Sequence, residues 1–261
     1  MNISITGKFA VICGSTQGIG FAAAKELAEL GANCILIARN KDALLTAVSG
    51  LPKSGVQEHR YAIADFSNPE EVREAIEGIV SDIRVEILVN NSGGPKAGPV
   101  LDASTATFET AFRQHLVCNQ ILAQAVIPGM KAAGYGRIIN VISTSVKTPL
   151  SNLGVSNTIR LAVASWAKSL SNEVAQYNIT VNNVLPGLTQ TGRLESLINL
   201  SAAAENRDPK ITADQMIHTI PAKRFGTPAE IANMIGFLAS PAASYVNGTN
   251  IAVDGGRTPA F

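Results

Sequence analysis

The chain has 261 residues, 46% of them apolar and 16% charged, with a formal net charge of +1. That composition describes a globular chain with material for a substantial core, and the balanced charge argues against the electrostatic footprint of a nucleic-acid binder. No apolar run approaches the roughly 20 residues needed to span a bilayer. The N-terminal MNISITGKF lacks the charged-then-apolar layout of a signal peptide. Cys13, Cys34 and Cys118 are odd in number and set among apolar neighbours, so they read as reduced core residues. His59, His115 and His218 show no metal-ligand spacing. A soluble, cytoplasmic protein with no metal and no membrane or nucleic-acid partner is expected.

Residues 8–31, KFAVICGSTQGIGFAAAKELAELG, set the pattern for the rest. Phe9 to Cys13 is a short unbroken apolar run, as in a strand buried on both faces. Gly14, Gly18 and Gly20 follow, and then strong helix formers over 21–28. Strand, glycine turn and helix suit a pyrophosphate, because glycine lets the backbone come close and the first helical N–H groups point at the anion. A tight βα turn that binds nothing has the same local pattern.

The alternation then repeats. Strands are expected at 34–38, 59–64, 85–89, 137–142, 179–184 and 247–253, and helices at 41–48, 69–80, 151–177 and 228–239. Pro69 is a favoured first-turn residue. Residues 104–133 carry one or two helices broken near Pro128, and Asn90-Asn91-Ser92-Gly93-Gly94-Pro95 is a loop by composition. Buried strands alternating with helices imply an α/β fold: a Rossmann-type, doubly wound parallel sheet of about seven strands with helices on both faces. No repeat or linker divides residues 1–261, so one domain is expected. Residues 188–227 hold few sheet signals and read as a substrate lid or as a surface insertion.

Ligands of such sheets sit beyond the strand C-termini, where strand order reverses. Attention therefore falls on 14–20, 39–40, 65–66, 90–95, 143–160 and 186–192. A dinucleotide domain that takes NAD places an Asp or Glu after its second strand to accept from the ribose 2′-hydroxyl. This chain has Ala38-Arg39-Asn40-Lys41 there. The missing acid, and an arginine fork that matches a 2′-phosphate, favour NADP(H) over NAD(H). An ordinary solvated loop charge is the other reading of Arg39.

Taken together, these motifs resemble the short-chain dehydrogenase/reductase family along essentially the whole chain. Gly14-Ser15-Thr16-Gln17-Gly18-Ile19-Gly20 is similar to its G-x-x-x-G-x-G cofactor loop, with Cys13 where a Thr usually precedes it. Asp65, followed by Phe66, resembles the acid that contacts adenine, and Asn90-Asn91-Ser92-Gly93 resembles the N-N-A-G turn. Pro186-Gly187 followed by Thr191 is similar to the segment that lies along the nicotinamide. Arg224-Phe225-Gly226-Thr227-Pro228-Ala229-Glu230-Ile231-Ala232 and Val253-Asp254-Gly255-Gly256 are close to the signature of the 3-oxoacyl carrier-protein reductase branch. The resemblance implies an NADP(H) site formed by residues 14–20, Arg39, Asn40, Asp65, Phe66, Asn91, Ser92, Gly93, Arg160, Pro186, Gly187 and Thr191. It also implies a small-molecule carbonyl substrate and a homo-oligomer, tetramer or dimer, built through the helices over 104–134 and 151–177. Leu161, Val163, Trp166, Leu170 and Val174 suit that packing and suit an internal core equally.

The catalytic set departs from the family, whose members use a Tyr, a Lys four residues later, a Ser and an Asn. Four residues after Tyr61, Tyr135, Tyr177 and Tyr245 stand Asp65, Ile139, Val181 and Thr249, so Y-x-x-x-K is absent. Alignment with the family places Ser143 at its Ser, Ser156 at its Tyr, Arg160 at its Lys and His115 at its Asn. These four are the candidate catalytic residues. A serine hydroxyl is a far weaker acid than a phenol, whose pKa of about 10 a nearby cation lowers. Arg160 keeps its charge and offers five donors to ribose hydroxyls or an oxyanion. His115 has an unperturbed pKa near neutrality and reads as a proton donor or as a structural residue. Lys147 reads as a loop lysine or as a group that reaches the site. Two functions fit: an atypical NADPH-dependent reductase of a carbonyl or a conjugated enone, its enolate held by Ser143, Ser156 and Arg160; or a dinucleotide-binding regulatory protein without turnover.

Overall fold

The computed structural model describes residues 1–259. The short apolar runs form seven strands: β1 (Phe9–Cys13), β2 (Asn33–Ala38), β3 (Arg60–Ile63), β4 (Ile87–Asn90), β5 (Gly136–Val141), β6 (Ile179–Pro186) and β7 (Asn250–Val253). Every pairing is parallel, in the order β3-β2-β1-β4-β5-β6-β7, so the order reverses between β1 and β4. Side chains alternate across each strand. Ala10, Ile12, Cys34 and Leu36 join one core, beneath α1 (Gly18–Glu29), α2 (Lys41–Ser49) and α9 (Pro228–Ala239). Val11, Cys13, Ile35 and Ile37 join the other, beneath α3 (Pro69–Asp82), α5 (Cys118–Ala133) and α6 (Gly154–Val174). Two covered faces explain why β1 and residues 34–38 of β2 are apolar without interruption. All three cysteines are buried and free.

Three expectations change. First, Pro128 lies inside α5 and does not break it. A proline withdraws one helical N–H, but the irregularity comes earlier, where α4 (Thr105–Phe112) passes into a π-helical turn at Arg113–Val117 before α5 begins. Second, β3 is a four-residue edge strand with no fully buried residue, and β7 begins at Asn250. Third, residues 188–227 contain two helices, α7 (Gly192–Ala204) and α8 (Pro209–His218). The two ends of that excursion are tied together: Gln190 N donates to Gly226 O (2.8 Å) and Gly226 N to Leu188 O (2.9 Å). On α6, Val163 and Val174 are core residues and Trp166 and Leu170 pack against the core, whereas Leu161 is exposed. Among the described residues, no helix is long and apolar enough to cross a membrane.

A polar ladder crosses the sheet just below the site. Asn90, Asn140, Asn183 and Asn250 are register partners on adjacent strands. Asn90 Nδ2 donates to Asn140 Oδ1 (2.8 Å), Asn140 Nδ2 to Asn183 Oδ1 (2.8 Å), and Asn183 Nδ2 to Asn250 Oδ1 (2.7 Å). Asn140 and Asn183 each use the oxygen toward one neighbour and the nitrogen toward the other, whereas Asn90 Oδ1 at the end of the ladder has no partner among the described residues. Replacing Asn140 by Ala orphans the Asn90 donor and the Asn183 acceptor together. Urea unfolding of Asn140→Ala is expected to show a loss of about 2–4 kcal/mol, since each buried unsatisfied group costs roughly 1–3 kcal/mol.

Candidate functional site

A cavity of about 1400 Å³ opens over the C-terminal ends of the strands at the reversal of their order. Its floor is the turn between β1 and α1. Gly14 has φ +57°, and a Cβ there would stand 2.6 Å from Asn91 O; a Cβ on Gly20 would stand 2.2 Å from Gly14 O. Neither position accepts a side chain, so α1 starts in direct contact with the ends of β1 and β4. Asn91 fastens that contact, its Nδ2 donating to Cys13 O (3.2 Å) and Gly14 O (3.1 Å). Gln17, the N-cap of α1, makes no side-chain cap bond, and the first turn holds no acid. The amides at this helix start therefore remain free for an anion. Ser15 Oγ is buried without a partner. Closely packed backbone, uncapped amides and an orphaned hydroxyl fit a dinucleotide pyrophosphate.

The structure places Gly14, Thr16, Gln17, Gly18, Ile19, Arg39, Asp65, Phe66, Asn91, Ser92 and Gly93 on the cavity wall, and opposite them Ser143, Ser156, Arg160, Pro186, Gly187 and Thr191. Ser15 and Gly20 lie behind the wall as part of the turn. Arg39 is exposed at the end of β2 and forms no ion pair among the described residues, which leaves its fork available. Asn40 is not among the residues lining the cavity, and its side chain accepts from Ala43 N (2.9 Å) as the N-cap of α2. Asp65 Oδ1 accepts from Ser67 N and Oγ, both at 2.8 Å. Those bonds, with a smaller contribution from Arg39, hold its carboxyl below the usual range.

Ser156 and Arg160 are four residues apart on α6 and therefore share a helix face. Arg160 is buried, and its Nη1 donates to Val141 O (2.9 Å) at the end of β5. Burial, and secondarily the charge of Arg193, draw its pKa down to about 10, so it stays cationic at neutral pH. Ser143 caps the 3-10 turn Thr144–Val146, its Oγ accepting from Ser145 N (3.1 Å) and its proton left free to be donated. The Ser156 hydroxyl has no hydrogen-bond partner among the described residues. One permanent cation and two hydroxyl donors on one wall are suited to stabilising an oxyanion.

His115 stands apart from this group. It lies in the π-helical turn, buried, with Nδ1 2.8 Å from Ser92 Oγ, Nε2 without a partner, and its ring outside the cavity lining. Burial, and secondarily the charge of Arg160, press its pKa down to about 2. Burial thus favours its neutral form, and its contact with Ser92 favours the structural reading of this residue. Gly94 and Thr189, within the loops expected to hold ligand, also line the wall, as do Arg193 and Gln114, which sequence reasoning missed. Arg193 carries a signal in retrospect, being a cation in the first turn of α7, where the helix dipole disfavours one. Among the described residues, no three His, Cys, Asp or Glu side chains gather as a metal set.

Residues 14–258 match the family model described as Enoyl-(Acyl carrier protein) reductase. The chain is 32% identical over 257 residues to 3-oxoacyl-[acyl-carrier-protein] reductase FabG of Vibrio cholerae, covering 97% of this chain and 98% of that protein. Among solved structures it is similar to L-sorbose reductase of Gluconobacter frateurii complexed with NADPH and L-sorbose, with a TM-score of 0.93, 32% identity and full coverage of both chains (100% and 100%). It is also similar to YwfH, an NADPH-dependent reductase involved in bacilysin biosynthesis, with a TM-score of 0.91, 27% identity and coverage of 97% and 99%.

The depressed His115 pKa has a consequence for folding. The unfolded chain protonates this histidine near its ordinary value of 6.5, whereas the folded chain does not until about pH 2. Its contribution to stability is therefore complete above pH 6.5 and is lost progressively on acidification toward pH 2. Urea unfolding of His115→Gln is expected to fall less steeply below pH 6.5 than the parent, by up to about 1.4 kcal/mol per pH unit for this one proton. Parallel pH profiles would refute the burial of a neutral ring.

Proposed function

The chain belongs to the short-chain dehydrogenase/reductase family and is an oxidoreductase; from that premise we propose that it reduces a conjugated enone with NADPH, holding the product enolate with Ser143, Ser156 and Arg160. The observation that carries this reading is the cavity wall itself. Where relatives in the family place a phenol, this chain has the unpaired Ser156 hydroxyl beside a buried guanidinium. That wall stabilises negative charge on oxygen strongly and donates protons weakly.

Bound NADPH supplies the hydride. Its addition to the β-carbon of an enone pushes the double-bond electrons onto the carbonyl oxygen, so the reaction first needs charge stabilisation and not an acid. Arg160, fixed through Val141 O, presents its remaining N–H groups toward that oxygen, and the Ser143 and Ser156 hydroxyls donate to it. Water then protonates the α-carbon. Simple carbonyl reduction asks for a proton on the oxygen as the hydride arrives, and a neutral His115 outside the cavity does not offer one.

At the other end, Arg39 serves the 2′-phosphate, in keeping with the NADPH-bound state of the sorbose reductase relative. Asn91, Gly93, Pro186, Gly187 and Thr191 line the path between the two ends.

The test is oxidation of NADPH, followed by its absorbance, with conjugated enones, 3-oxoacyl thioesters and quinones. Turnover is expected on the enones. Arg160→Ala is expected to lower kcat by about 10²–10³, the usual cost of removing an oxyanion donor. NADPH binding with no oxidation on any acceptor would replace this reading with a regulatory one. Arg39→Ala is expected to weaken NADPH by about tenfold or more, the scale of a lost charge-assisted phosphate contact, and to leave NADH nearly unchanged. An equal loss for both cofactors would remove Arg39 from the 2′-phosphate site.

A further inference from the structure

Two arginines from different elements meet at one point of the cavity. A Cβ on Gly94 would stand 3.6 Å from Arg160 Nη2 and 3.7 Å from Arg193 Nη2. Arg160 comes from α6 and Arg193 from the first turn of α7, and all three residues line the wall.

Neither guanidinium forms an ion pair among the described residues. Arg160 donates once, to Val141 O, and Arg193 once, from Nη2 to Pro95 O (2.7 Å). A guanidinium has five N–H donors, so most of their capacity is unused. Desolvation lowers the pKa of both groups, and Arg193 adds repulsion at Arg160. The N-terminal dipole of α7 raises the local positive potential further. Asp65, which also lines the cavity, follows β3, four strands across the sheet from β5 and its Val141 anchor. Arg160 is buried and Arg193 exposed; like charges this close repel, and an anion shared between them relieves that repulsion. Among the described residues, none pairs a carboxylate with either guanidinium.

We propose that Arg160 and Arg193 together hold a carboxylate of the substrate, so that the acceptor is an unsaturated α-keto acid or a closely related conjugated acid. The reaction class rests on the reductase reading above; the anion dock does not require turnover. A planar carboxylate matches the guanidinium fork, accepting from Arg193 with one oxygen and from Arg160 with the other. With the carboxylate next to the reacting carbonyl, Arg160 faces both that group and the developing enolate oxygen. The two negative charges of the enolate acid then meet two positive charges of the wall. A phosphate of the cofactor has the same chemistry, and the measurements separate the two sources.

Isothermal titration of the full-length protein saturated with NADP+ uses benzylidenepyruvate and its methyl ester, which share the enone and differ in charge. The acid is expected to bind at least about tenfold more tightly than the ester, the scale of one charge-assisted hydrogen-bonded contact. R193Q is expected to abolish that preference and R193K to keep most of it. Equal affinities for acid and ester, binding of neither, or a preference that survives R193Q would each overturn the dock. A tenfold loss of NADP+ affinity in R193Q would assign the arginine to a cofactor phosphate and overturn it as well. An intact acid preference without NADPH oxidation on any enone would remove the reductase reading and leave the dock standing.

Discussion

A side chain at position 20 would collide with the Gly14 carbonyl at 2.2 Å, and one at position 14 with the Asn91 carbonyl at 2.6 Å. This close approach fixes where α1 begins relative to β1 and β4, and the cavity follows from it. Because the helix starts against the strand ends, its uncapped amides face the opening between β1 and β4, where the strand order reverses. Asn91 holds the contact through two backbone carbonyls of the β1 turn. Its neighbour Asn90 begins the amide ladder that runs through β5 and β6 to β7. The floor of the site is thus joined by hydrogen bonds to most of the sheet. Loops at strand ends provide the wall, while their anchor points stay rigid.

The opposite wall is organised by charge. Arg160 is buried, permanently cationic and fastened to a β5 carbonyl, and its field reaches both Arg193 and His115. Burial first, and that field second, favour the neutral form of the His115 ring. A tyrosine–lysine pair works through a phenol whose proton a cation makes available. Two serines and an arginine provide stabilisation of negative charge without a comparable proton. The enone reduction proposed for this wall rests on that difference in residue identity from a family member with the phenol.

Some of the sequence expectations failed for identifiable reasons. Pro128 is a helix breaker by intrinsic preference, yet it sits in an amphipathic helix whose buried face includes Ile121, Leu122, Val126 and Met130, and tertiary packing outweighs one missing N–H. Asn40 follows the second strand and also precedes a helix, whose start its side chain caps. Arg193 was invisible as a site residue because residues 188–227 lack a strong period and the start of α7 had no clear marker. Its side chain reaches Pro95, 98 positions away in the chain.

The sequence by itself determined the alternating strands and helices of the sheet and the position of its glycine turn. Unbroken apolar runs, glycines at 14, 18 and 20, and polar loops after the strands are local patterns, and local patterns are legible because short-range sterics and periodicity decide them. It also showed that the phenol is missing, since that is a matter of residue identity. Tertiary structure alone decided which of the replacement residues face one another. The Asn90–Asn250 ladder, the neutral His115 and the convergence of Arg160 with Arg193 over Gly94 all depend on contacts between segments far apart in the chain. Burial and the sum of nearby charges set their chemistry. Neither quantity exists until the chain has folded.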